Sequence, residues 1–122
     1  MCVLFAGPDG ESPFADVAVV FTSNPGSASP RSEMSEWLLA ERVRFKGFPP
    51  GWKREGRTTH REYLVCLAGA AAMRASDGEV RDFQKGDVEL VEDTTGKGHT
   101  SWTNGDDTCL LMTIFLEGRE PL

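Results

Sequence analysis

The chain has 122 residues and carries 13 Lys and Arg against 19 Asp and Glu, for a net charge of -6. That length predicts a single domain over residues 1–122, and 39% hydrophobic with 26% charged residues is ordinary globular usage that excludes wholesale disorder. The acidic balance argues against a nucleic-acid partner, and no apolar run reaches the ~20 residues that cross a bilayer.

In chain order, the start from Met1 to Gly7 lacks a positive n-region and is too short in apolar residues for a secretory signal. Cys2, Cys66 and Cys109 show no CxxC spacing, and Cys66 and Cys109 sit in apolar runs as small buried hydrophobes. A reduced, cytoplasmic setting is expected. Turn residues recur at Asn24-Pro-Gly26, Pro49-Pro-Gly51, Asp77-Gly78, Lys85-Gly-Asp87, Thr95-Gly-Lys-Gly98 and Asn104-Gly105. Runs rich in β-branched and aromatic residues lie between them, which predicts strands at 14–21, 37–48, 61–67, 70–75, 80–83, 88–92, 99–103 and 108–116. Residues 23–35 read as a crossover or flap. Segment 32–44 has acids early and arginines late, as a helix would, yet Val43-Arg-Phe45-Lys alternates at period two. Asp77-Gly78 predicts a hairpin with a type I′ turn. About eight closely spaced strands imply an all-β sandwich or small barrel.

The most specific string is Gly86-Asp-Val-Glu-Leu-Val-Glu-Asp-Thr-Thr-Gly-Lys-Gly-His99, preceded by Glu62 and, after six intervening residues, Gly69. This ordered set, with Phe48-Pro-Pro-Gly-Trp52, resembles the paired motifs of small single-domain bacterial cupins, from about residue 14 to 116. The resemblance implies a jelly-roll double-stranded β-helix barrel of two antiparallel sheets. Gly69 and Gly86 would then turn the chain between sheets, and Gly96 and Gly98 would allow close backbone approach before His99. It also implies a divalent metal, Fe, Mn, Ni or Zn, held by three histidines and a glutamate.

The first cupin motif reads HxH before its glutamate, and here the corresponding positions are Glu55, Gly56, Arg57 and Thr58. Two of the implied ligands are therefore absent. Glu62 and His99 match the motif; His60 does not, but lies two residues from Glu62 and so on the same face of a strand. His60, Glu62 and His99 are the candidate metal set, set against a metal-free pocket in which His99 partners a buried Glu62.

Seven cations and one acid lie between Arg42 and Arg61. Arg54 and Arg57 are expected near the barrel mouth, where forked guanidinium groups suit an anionic ligand; a solvated basic face is the plainer alternative. Trp52 and Trp102 flank the motifs as candidate pocket walls or core. Consecutive large apolar residues at 37–39 and 110–116 call for cover on both strand faces, which predicts a homodimer. Three functions follow: a metal-dependent dioxygenase- or isomerase-type enzyme, a metal-free small-ligand binding or sensor module, and a structural dimer with a vestigial pocket. No Ser or Cys nucleophile constellation is present.

Overall fold

The computed structural model describes residues 1–23 and 32–116, all of them strand, turn or irregular chain. In chain order the described strands are β1 Cys2–Leu4, β2 Phe14–Asp16, β3 Thr22–Ser23, β4 Glu33–Met34, β5 Ala40–Phe48 and β6 Lys53–Gly56. They continue as β7 Glu62–Ala68, β8 Ala70–Arg74, β9 Val80–Gln84, β10 Val88–Val91, β11 His99–Thr103 and β12 Cys109–Leu116. One sheet has the order β2-β1-β10-β7-β12-β5, the other β6-β11-β8-β9, and β3 pairs with β4 as a separate ribbon. The expected jelly-roll of two facing sheets is present, with one exception to antiparallel pairing: β1 runs parallel to β10. No helix is long and apolar enough to cross a membrane among the described residues.

Alternation places the core. Along β7, Glu62, Leu64 and Cys66 are buried, and along β12 so are Cys109, Leu111, Thr113 and Phe115. These face inward against Ala71, Met73 and Phe83 of the smaller sheet. Each fully buried Leu, Met or Phe contributes about 1.5–3 kcal/mol, so this seam between the sheets holds the barrel shut. Cys66 and Cys109 are 1% and 0% exposed, in the role of small hydrophobes. Gly69 makes the crossing from β7 to β8: at φ +68 it adopts the left-handed region, and an added Cβ would lie 2.4 Å from the Thr108 carbonyl oxygen.

The sequence expectations differ from the structure in four places. The strand expected over 14–21 stops at Asp16: Val17 still exchanges backbone hydrogen bonds with Met1, and Ala18 to Phe21 then leave the sheet and are exposed. The strand expected from Trp37 starts at Ala40, and the helical alternative for 32–44 gives way to the period-two alternation. Strands β1, β3, β4 and β6 lie outside the strands expected from the sequence, since short segments carry too little periodicity to read. The Asp77-Gly78 turn does join β8 to β9, but only Gly78 has positive φ; a longer loop closed by Ala75 N–H to the Glu79 carbonyl replaces type I′. Of the expected flap, residues 24–31 lie outside the described residues.

Candidate functional site

A cavity of about 280 Å³ opens between the two sheets. The larger sheet lines it with Glu62 and Leu64 of β7, Leu111 and Phe115 of β12, and Arg44, Lys46 and Phe48 of β5. The smaller sheet adds Arg54 of β6, Met73 of β8, and His99 and Ser101 of β11. Register explains the meeting. Val91 pairs with Glu62, so the end of β10 adjoins the start of β7, and His99 pairs with Gly56 at the corresponding end of β11. The volume lies at the small end of ligand cavities, so it suits a compact metabolite and not a large cofactor.

His99 is held from behind. Its Nδ1 lies 2.5 Å from Oδ2 of Asp93, which is fully buried, so Nε2 is the nitrogen left for the cavity. This short bond to a carboxylate orients the ring as a base is oriented by a third group in acid–base sites. The second Asp93 oxygen, Oδ1, has no partner among the described residues. The loop before His99 is fastened to the N-terminal loop: Gly98 N–H donates to Ser12 Oγ at 2.9 Å, and Lys97 N–H donates to the Gly10 carbonyl at 2.9 Å. Lys97 Nζ also pairs with Glu11.

Glu62 faces His99 across the cavity. Burial raises its pKa above the usual carboxylate range; the charges of Lys46, Arg54 and His99 and a hydrogen bond from Thr58 pull the other way. Burial lowers the Lys46 pKa while Glu62 pulls it back up. Phe48 stacks on Trp52, ring centroids 3.9 Å apart, and the pair forms one apolar wall. Arg54 Nη2 donates to the Arg57 carbonyl at 3.0 Å, which bends the arginine along the mouth.

Of the residues singled out from sequence, Glu62, His99, Arg54 and Trp52 come together here. His60 does not line the cavity: its ring stacks on Phe115 at 4.6 Å, and its Nδ1 bonds Thr59 Oγ1 at 3.1 Å. It precedes β7, so strand alternation does not reach it. Arg57 is exposed and offers its carbonyl, and Trp102 lies on the outer side of β11 under Arg74, 5.3 Å from guanidinium carbon to ring centroid. Sequence reasoning gave no role to Asp93, Lys46 or Arg44. Asp93 stood in the quoted motif, but a loop separates it from His99. Lys46 and Arg44 had a signal, the period-two cations of β5, which alternation aims inward. Among the described residues, no three His, Cys, Asp or Glu side chains group as metal ligands would.

No protein-family profile matches the chain, and neither does any curated protein. Solved structures do. A cupin 2 conserved barrel domain protein from Salinispora arenicola CNS-205 superimposes with TM-score 0.54 at 16% identity, covering 84% of this chain and 82% of its own. A double-stranded β-helix protein from Klebsiella pneumoniae subsp. pneumoniae MGH 78578 gives 0.53 at 16% identity, over 65% and 69%. An RmlC-like cupin from Methanocaldococcus jannaschii gives 0.52 at 9% identity, over 84% and 93%. The chain therefore has the fold of a small cupin. Fold does not carry an activity with it, and the chemistry has to be argued from the cavity.

Proposed function

We propose that the barrel cavity binds a small organic anion bearing a carbonyl group and moves a proton on it, an isomerase-type acid–base function. The observation that carries this reading is Glu62 facing the Asp93-backed His99 inside a cavity that Arg44, Lys46 and Arg54 also line. The cations attract the anionic group. His99 Nε2 takes a proton from the carbon beside the carbonyl, and Glu62, whose pKa burial raises, acts as the acid that gives a proton to the carbonyl oxygen to leave an enol. The imidazolium of His99 then delivers its proton to a neighbouring carbon while Glu62 takes back a hydroxyl proton from the enol, which completes an isomerisation with both residues restored and no net change in protons.

The residues fit a resident Fe, Mn, Ni or Zn poorly. Glu62 and His99 would offer two donors, His60 is turned away, and Lys46 and Arg54 oppose a cation beside Glu62. Binding without turnover is the second reading, favoured by the same cation-lined cavity.

Two measurements separate these. Thermal shift with acetate, pyruvate, 2-oxobutanoate, malonate and inorganic phosphate is expected to show stabilisation by the oxo acids that Arg54→Gln weakens about tenfold. Proton NMR in deuterium oxide is then expected to show exchange at C3 of bound 2-oxobutanoate, lost in His99→Ala and Glu62→Gln. Stabilisation without exchange would leave a binding module; neither stabilisation nor exchange would discard the anion site.

A further inference from the structure

We infer that the cavity adjoins a phosphate subsite between β5 and β12, so that the ligand is a short oxo acid bearing a phosphate or phosphonate at the end away from its carboxylate. This rests on the anion reading proposed above. Beside the cavity lies a recess of about 310 Å³, whose walls include Arg42, Arg44, Thr59, His60, Thr113 and Phe115. It shares Arg44, Thr59 and Phe115 with the cavity, so the two adjoin.

Register builds the recess. Arg44 of β5 pairs with Thr113 of β12, and Arg42 pairs with Phe115, all at inner-face positions. The Arg42 guanidinium carbon lies 5.2 Å from the Phe115 ring centroid and that of Arg44 5.8 Å, while the His60 ring stacks on the same ring at 4.6 Å. One phenyl ring thus gathers two forked cations and an imidazole. His60 Nδ1 is engaged by Thr59 Oγ1, which leaves Nε2 for a ligand.

Two observations point to an anion here. Among the described residues Arg44 pairs with no carboxylate, and Arg42 has only Glu41, at 3.9 Å and exposed, where an ion pair contributes little. Thr113 is 1% exposed on the floor of the recess, and its hydroxyl has no partner among the described residues. A buried hydroxyl without a partner is destabilising, and a ligand oxygen in the recess removes that cost.

A carboxylate carries one charge and is satisfied by one guanidinium fork. A phosphate monoester carries up to two charges on three terminal oxygens, which matches two guanidinium groups with a hydroxyl and an imidazole beside them. Alternate positions on a strand are about 7 Å apart, so Arg44 stands about that far along β5 from Lys46. A carboxylate held by Lys46 and Arg54 and a phosphate held by Arg42 and Arg44 are therefore joined by a chain of a few carbons.

Isothermal titration calorimetry with three ligands tests this. They are 2-oxobutanoate, 2-oxo-4-phosphonobutanoate, which adds a phosphonate to the same chain, and 2-oxopentanedioate, which puts a carboxylate in its place. The phosphonate is expected to bind about 30-fold tighter than 2-oxobutanoate. Arg42→Gln is expected to cut that advantage about tenfold and Thr113→Val about fivefold, with 2-oxobutanoate affinity unchanged in both. Circular dichroism checks that both variants fold. Equal affinity for 2-oxobutanoate and the phosphonate overturns the subsite and leaves the oxo-acid reading standing, as does a phosphonate advantage that neither variant reduces. Equal affinity for the phosphonate and 2-oxopentanedioate overturns the phosphate in favour of a second carboxylate. Where 2-oxobutanoate itself fails to bind, inorganic phosphate alone decides: binding that Arg42→Gln weakens supports the subsite without the oxo-acid reading, and no binding overturns both.

Discussion

Glu89 shows how far one buried carboxyl departs from its solution behaviour. It is 4% exposed on the inner face of β10, its Oε1 has no partner among the described residues, and its pKa is pushed up to about 8. Burial is the main cause, Asp93 and Asp87 add repulsion, and Arg81 opposes them. Cys2 is its direct neighbour on β1, and its thiol is pushed up to about 11 by burial first and Glu89 second. Between the usual carboxylate range and pH 8 the folded chain keeps a proton that the unfolded chain has lost. The stability that this proton supports is present at acidic pH and lost as pH rises through about 8. Glu89→Gln removes the titration. The variant is expected to gain on the order of a few kcal/mol at pH 8.5 and to show a flatter stability profile between pH 5 and 8.5, measured by urea unfolding. An unchanged slope would mean that Glu89 is not the group responsible. No pattern in the sequence marks Glu89 as unpaired, because the position reads as one more acid of a Gly-Asp-Val-Glu strand.

The junction of β10, β11 and β6 carries the chemistry on the smallest amount of chain. Gly98 has φ +81, and a Cβ there would lie 2.6 Å from the Gly56 carbonyl carbon, so no side chain fits without moving β6 away from β11. His99 follows directly, and its distance to Asp93 depends on this crossing. Gly98→Ala is expected to cost about 2–3 kcal/mol in chemical denaturation. It should also weaken oxo-acid stabilisation more than its stability loss accounts for, since the dyad moves with the strand. A variant with normal stability and normal ligand response would show that the close approach is dispensable. The glycine pair and the histidine were legible as a motif. The strand they press against was not, because Lys53–Gly56 is four residues of polar sequence whose only claim to be a strand is its pairing with His99–Trp102.

At the scale of the whole molecule, the barrel joins a cation-lined interior to an apolar exterior, and the same strand serves both. β5 turns Arg44 and Lys46 toward the cavity and Val43 and Phe45 outward. One consequence is testable without a substrate. Untagged protein, purified without chelator, is expected to hold well under one equivalent of iron, manganese, nickel or zinc by elemental mass spectrometry, and to take up none tightly when metal is added. Stoichiometric metal that Glu62→Gln or His99→Ala removes would reverse that reading and restore the metal-enzyme alternative. The amino-acid sequence by itself determined the all-β class, the extent of most strands and the pairing of Glu62 with His99 as motif residues. The first two rest on local alternation and turn chemistry, which a linear chain displays directly; the third rests on the resemblance to the cupin motifs. The tertiary structure alone decided that Asp93 backs His99, that Lys46 and Arg54 oppose Glu62, that His60 turns to Phe115, and that the apolar residues 37–39 are left unburied. Each of these depends on which distant strands lie side by side, and register between strands far apart in the chain is set only when the sheets close on a common core.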